Sequence, residues 1–192
     1  MNEPLFEGSF VVIDLETTGF SVEESDIIEI GAVKVEGGII SETFSQLIYP
    51  GYFLPKRVTE ITGITNAMVI GQPHIKEVLP EFLHFIGNNI VVGHNVKQDI
   101  KFIDKYTKMY LCKKIKIPHI CTLQLARSLF PNIGKYTLHA LADYFNISYK
   151  KVHRALDDAL VTAKLFMLML EMIWKNMGIS TYLDIKQLYR SK

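Results

Sequence analysis

No uninterrupted apolar run in this 192-residue chain reaches the ~18 residues that a membrane-spanning helix needs. The start, MNEPLFEGSF, carries an acid and lacks the basic, then apolar, then small-residue order of a secretory leader, so a cytoplasmic location is expected. Cysteine is scarce: Cys112 and Cys121 form no CxxC pair and read as two ordinary thiols in a reducing compartment. Net charge is only +1, which excludes a global field drawing the protein onto a polyanion. Repeats, low-complexity tracts and linkers are missing too. With 48% hydrophobic and 21% charged residues, the chain reads as one domain over 1–192, with a core at about 8–175 and an extension at 176–192 of unassigned role.

What charge there is gathers locally. Lys97, Lys101, Lys105 and Lys108 are followed by Lys113, Lys114 and Lys116, then Lys150 and Lys151. Such runs are ordinarily solvated faces, and phosphate contact is the alternative.

Short β-branched stretches alternate with amphipathic ones. Phe10–Leu15 (FVVIDL) has the composition of a central strand buried on both sides. Ile27–Val35 and Ile39–Ile48 predict two more strands, joined by a tight hairpin at Glu36-Gly37-Gly38. Short helical turns are expected over Val58–Ile70, a helix over Ile75–Ile86 and a brief buried strand at Ile90–Val92. A helix over about Asn95–Lys108, a fifth strand at Ile115–Ile120 and helices over Thr122–Phe130, Thr137–Phe145 and Ala155–Lys175 complete the pattern. A three-strand meander followed by alternating strands and helices predicts an α/β fold, a mixed five-stranded sheet with helices on both faces. Gly178–Lys192 is amphipathic at best and predicts nothing firm.

Four acids break this pattern. Alternate strand residues share a face, so Phe10, Val12, Asp14 and Glu16 form one row that begins apolar and ends in two carboxylates. Their side-chain origins lie ~7 Å apart. Alone, such a pair also fits a solvated turn. At 3.6 residues per turn, Asp99 falls on the stripe of Phe102, Ile103 and Tyr106, whereas Asp104 lies with Lys97, Lys101 and Lys108 on the solvent face. Likewise Asp158 heads the inward row Val161, Leu165, Leu168 and Met172, and Asp157 heads a polar one. The helix dipole favours one acid at a first turn by under ~1 kcal/mol, which accounts for one of these residues and not for four. A buried unpaired carboxylate costs several kcal/mol, roughly, and four together repel, so a divalent metal site is the economical account.

His153 stands five residues before Asp158 on a lysine-rich approach, YKKVHRA. Its unperturbed pKa of ~6.5 lets it exchange a proton near neutral pH. His74, His84, His119 and His139 carry no such signal and read as surface or structural residues.

The segments VVIDLETTG, VVGHNVKQD and HRALDD-A resemble, in order and spacing, the three motifs of DEDDh-type (DnaQ-like) 3′–5′ exonucleases. LPKRVTEITGIT, TLQLAR and YTLHALADYFNI are similar to stretches of the proofreading subunits and domains of bacterial DNA polymerase III, and the likeness covers roughly Gly8 to Leu170. The resemblance implies a ribonuclease H-like fold and a two-metal 3′–5′ exonuclease acting on single-stranded or frayed DNA 3′ ends. It implies that Asp14, Glu16, Asp99 and Asp158 bind two divalent cations, Mg²⁺ or Mn²⁺, with Asp14 bridging both. His153 would be the general base toward the attacking water. Thr17, Thr18, Thr62, Ile64, His94 and Asn95 match positions that contact the terminal nucleotide. Gln98 stands where many relatives carry an apolar residue, and Thr62 replaces a histidine of some proofreading subunits.

Within this reading a DNA polymerase partner and a free-standing enzyme both remain open, and RNA is the alternative substrate. Gln187-Leu188-Tyr189 bears a faint likeness to a sliding-clamp tail. A non-catalytic nucleic-acid-binding domain on the same fold would be expected to lose the acids, all of which are present. An internally cutting ribonuclease H-type enzyme would not carry the DxE spacing followed by Thr-Thr-Gly.

Overall fold

The computed structural model describes residues 7–150, 153–179 and 181–188. The MNEPLF start, Lys151 and the last residue of the Gln187-Leu188-Tyr189 segment lie outside them. Strands β1 (Ser9–Thr17), β2 (Ile27–Glu36) and β3 (Ile39–Leu47) form an antiparallel meander. The β2–β3 turn is Gly37-Gly38, both at positive φ (57° and 77°), as a two-residue hairpin matched to strand twist requires. After short helices α1 (Lys56–Thr62) and α2 (Asn66–Val69) and helix α3 (Ile75–Ile86), strand β4 (Ile90–Gly93) pairs parallel with β1. Helix α4 (Lys97–Leu111) leads to β5 (His119–Cys121), parallel to β4. Helices α5 (Thr122–Leu129), α6 (Leu138–Tyr144), α7 (Ala155–Met177) and α8 (Tyr182–Gln187) follow. The five-stranded sheet has the order β3-β2-β1-β4-β5.

Alternation along β1 divides the core. Phe10 and Val12 face α7, where Phe10 meets Phe166 edge to face with ring centroids 5.1 Å apart. Val11, Ile13 and Leu15 face the other way, against α3 and α4. A third cluster of Ile28, Leu54, Val58, Ile64 and Val69 fixes α1 and α2 beside the end of the sheet. Cys112 is exposed and Cys121 buried, and both are free thiols. Among the described residues no helix is long and apolar enough to cross a membrane.

Three element boundaries depart from expectation. The fifth strand is three residues long, not six. Pro118 has no N–H to donate, its carbonyl instead accepts the Val91 N–H, and the four-residue β4 offers no longer partner. Helix α4 begins at Lys97 because Asn95 takes the left-handed conformation (φ 66°), closing a turn before the helix. The tail contains a helix after all: Thr181 caps α8 through the Asp184 N–H, Ile185 is buried in the main core, and Lys186 Nζ donates to the His119 carbonyl at 2.8 Å.

Candidate active site

The parallel strands β1 and β4 end on the same edge of the sheet, where two helices arrive from opposite faces. Asp99 lies in the first turn of α4 and Asp158 in the first turn of α7. Asp14 and Glu16 close the α7-facing row of β1. The topology thus gathers acids from three separate stretches at one edge, as the sequence pattern requires.

The close approach of α7 depends on a glycine. Asp14 pairs across the sheet with Gly31, and a Cβ built on Gly31 would lie 2.1 Å from the Ala155 carbonyl carbon and 2.2 Å from the Leu156 nitrogen. The backbone of the first α7 turn therefore rests directly on β2. Glu29, 1% exposed on the same strand, accepts the Ala155 N–H at 2.9 Å, a donor that the helix leaves unpaired. It also takes the Arg154 guanidinium in a fork, from Nη2 at 2.7 Å and Nε at 3.1 Å. The test that singled out Asp14, an acid in an apolar strand, would also have found Glu29 within IIEIGAV, and the neighbouring glycine marks the close approach.

One ligand atom each from Glu16, His153 and Asp158 lies within 4.8 Å of the others. Asp158 is 5% exposed, and its Oδ2 accepts the His153 backbone N–H at 3.2 Å. His153 itself is exposed and held at φ 59°. Asp158 Oδ1 lies 3.1 Å from His139 Nε2, an ion-pair contact when the ring is protonated, and among the described residues neither atom has another partner. His139, expected to be surface or structural, thus stands against the candidate acid. No sequence signal marks it, because the contact arises only when α6 packs beside α7.

Asp14 and Asp99 join this trio through charge. Burial, then Asp99, Glu16, Asp158 and Glu29, pushes the Asp14 pKa well above the carboxylate range. Burial first, and then Glu16, pushes Asp99 up as well. Glu16 is raised to about 8 by burial and by Asp158 and Glu29, against the lowering influence of Arg154. Burial raises Asp158, opposed by His139 and the His153 N–H. These carboxyls gain from an added positive charge, and their oxygens, with the His153 ring beside them, form a donor set that suits a divalent cation.

A cleft of about 510 Å³ opens beside the acids, and a second of about 420 Å³ adjoins it past His94. Thr17, Thr18, Thr62, His94 and Asn95 line the first cleft. Ile64 does not: it is 0% exposed in the cluster around α1 and α2, and its N–H donates to Thr62 Oγ1 at 3.1 Å. The exposed apolar wall comes instead from Ile61, with Phe20 (90% exposed) across the cleft.

His94 contributes a ring face and not a free nitrogen. Its Nε2 lies 2.9 Å from the Tyr136 carbonyl and its Nδ1 3.0 Å from Thr122 Oγ1, and burial lowers its pKa to about 4. A neutral ring donating from Nε2 satisfies the carbonyl. The threonine hydroxyls are also engaged within the protein. Thr17 donates to the Gly19 carbonyl at 2.7 Å, and Thr18 Oγ1 accepts the Asp26 N–H at 3.0 Å beside the Tyr52 hydroxyl. Gln98, the departure noted above, donates to the Phe20 carbonyl at 2.6 Å and so ties the turn after β1 to α4. Of the α4 lysines, Lys105 bonds Ser25 and Asp26 and Lys108 pairs with Asp104, whereas Lys97 and Lys101 are exposed.

A mixed sheet in this order, with acids converging where its central parallel strands end, defines a nuclease of the ribonuclease H-like class. The chain belongs to the exonuclease family RNase_T, whose model matches residues 11–166. It is 57% identical over 192 residues to the DNA polymerase III subunit epsilon of Aquifex aeolicus, covering 100% of this chain and 95% of that protein. It is 41% identical over 190 residues to a PolC-type DNA polymerase III of Clostridium perfringens, covering 99% of this chain but only 13% of that protein. Among solved structures, exonuclease X in complex with 5′ overhanging duplex DNA is similar at a TM-score of 0.73 and 29% identity, covering 94% of this chain and 99% of that one. E. coli exonuclease I, solved with zinc and single-stranded DNA, shares the fold at a TM-score of 0.77 and 15% identity, over 93% of this chain and 42% of that one. The chain is an exonuclease, and the 3′–5′ polarity expected from its three motifs stands with that assignment.

Proposed function

We propose that this chain removes nucleoside 5′-monophosphates one at a time from single-stranded or frayed 3′ ends of DNA, as a proofreading activity alongside a cytoplasmic replicative polymerase. The observation that carries the chemistry is the meeting of Glu16, Asp158 and His153 within 4.8 Å, flanked by Asp14 and Asp99. The full-length likeness to an epsilon subunit supports the polymerase partner and favours DNA over RNA.

Asp14, Glu16, Asp99 and Asp158 would hold two divalent cations, Mg²⁺ or Mn²⁺. When bound, such ions lower the pKa of the attacking water and relieve charge on the departing 3′ oxygen. His153 accepts the water's proton at a ring nitrogen, and its exposed position lets it pass that proton to solvent. The turn Thr17–Gly19, with Thr62, Asn95 and the face of His94, positions the terminal nucleotide. Phe20 and Ile61 offer apolar surface against which bases stack without regard to sequence.

Labelled linear DNA, matched linear RNA and a covalently closed single-stranded circle, each with Mg²⁺ or Mn²⁺, test this reading together. Mononucleotide release from linear DNA and an intact circle are expected. Cutting of the circle, or faster hydrolysis of RNA than of DNA, contradicts the assignment.

A further inference from the structure

Glu29 and Arg154 have no part in the chemistry above, yet they form the most completely satisfied ion pair beside the acids. We infer that Glu29 is a positioning residue that withholds the Arg154 charge from Glu16 and so keeps the acid cluster open to cations. The inference rests on the metal-holding reading of the previous section.

Glu29 and Glu16 are direct partners across the β1–β2 pair. Arg154 lies between His153 and the start of α7, and its guanidinium is turned fully into Glu29: both carboxylate oxygens receive Nε at 3.1 Å, and Oε1 receives Nη2 at 2.7 Å. Even so, its charge reaches Glu16, where it opposes the upward push of burial and of the acids Asp158 and Glu29. A guanidinium is permanently charged and its planar fork matches a carboxylate. Released from Glu29, it becomes an internal counter-ion for Glu16, competing directly with a divalent ion. Burying Glu29 beside a cluster that already repels itself carries a cost, and a simple staple for α7 would not require a charge there. Its charge is accounted for if the arginine must be held in place and neutralised.

A plain staple and a withholding pair predict opposite outcomes when both partners are removed. The Arg154–Glu29 ion pair is lost in either variant, whereas the competing charge is present only when Arg154 remains. Mn²⁺ binding to the full chain, read by titration calorimetry and by thermal shift, separates the two. The Glu29→Gln variant keeps an acceptor for the Ala155 N–H, and its Mn²⁺ affinity is expected to fall about tenfold or more. The double variant Glu29→Gln with Arg154→Met is expected to return to within about threefold of wild type, a non-additive result that marks coupling. The Arg154→Lys variant, whose flexible ammonium cannot hold the fork, is expected to weaken binding in the same direction as Glu29→Gln. Unchanged affinity in Glu29→Gln, or a double variant as weak as the single, overturns the inference. Should Glu29→Gln not fold, wild-type affinity in Arg154→Lys overturns it equally. A wild type that binds no Mn²⁺ would instead remove the metal-holding reading itself, so the two failures are distinguishable.

Discussion

At the scale of single residues, the acids and the histidine carry different parts of the reaction, and their loss should differ in size. General-base help contributes typically ~10²–10⁴-fold, so His153→Ala is expected to lower the rate on a 3′-labelled DNA strand by about that range. Asp14, whose charge registers with Asp99, Glu16 and Asp158 alike, has no substitute, and Asp14→Ala is expected to leave almost no activity. Equal, mild losses in the two variants would contradict these roles. Gly31 matters as space. Its alanine variant places a methyl group inside the backbone of the first α7 turn, and overpacking of this kind costs ~1–3 kcal/mol. Because that turn carries Asp158, Gly31→Ala is expected to lose activity out of proportion to its loss in denaturant midpoint. A variant as active as wild type would show that the close approach of α7 to β2 is dispensable.

At the scale of elements, the turn after β1 forms a cleft wall braced from behind. Asp26 accepts from Tyr52 at 2.9 Å, from Tyr106 at 2.5 Å and from Lys105 at 3.3 Å, while its own N–H donates to Thr18. Burial pushes the Asp26 pKa up, but the hydroxyls of Tyr106 and Tyr52 and the Lys105 charge outweigh it and hold the carboxyl below its ordinary value. Tyr52→Phe removes two contacts to this brace without touching the acids. KM is therefore expected to rise by about three- to tenfold while kcat changes little, as loss of uniform binding predicts. A fall in kcat alone would contradict the bracing role. Most elements were legible in the residue pattern, since alternation in FVVIDL and the 3.6-residue stripes of α4 and α7 encode which face is buried. The helix Ile75–Ile86 agrees to the residue. What escaped depends on tertiary contact: the shortness of β5 reflects its partner's length, and His139 meets Asp158 only across a helix packing. Ile64 goes to the core and Ile61 lines the cleft, because the cluster around Leu54 and Val69 takes Ile64 into its interior.

At the scale of the whole molecule, the fold stores repulsion at one edge of its sheet. A carboxyl whose pKa is raised in the folded state keeps its proton where the unfolded chain has already lost it. Folding then takes up protons, and stability falls as pH rises through the interval between the two values. For Glu16 that interval runs from 4.5 to about 8, with Asp14 and Asp99 shifted in the same direction. The chelated protein should therefore lose thermal stability from roughly pH 5 to pH 8, over the span in which its acids are forced to ionise. Cations that bind the folded form alone reverse this loss. The most direct test is the Tm of wild type and of Asp158→Asn, with chelator and with Mn²⁺, at both ends of that pH range. The account predicts a Mn²⁺-induced rise that is larger at the higher pH in wild type and largely absent in Asp158→Asn. A wild-type Tm indifferent to Mn²⁺ at both pH values would contradict it.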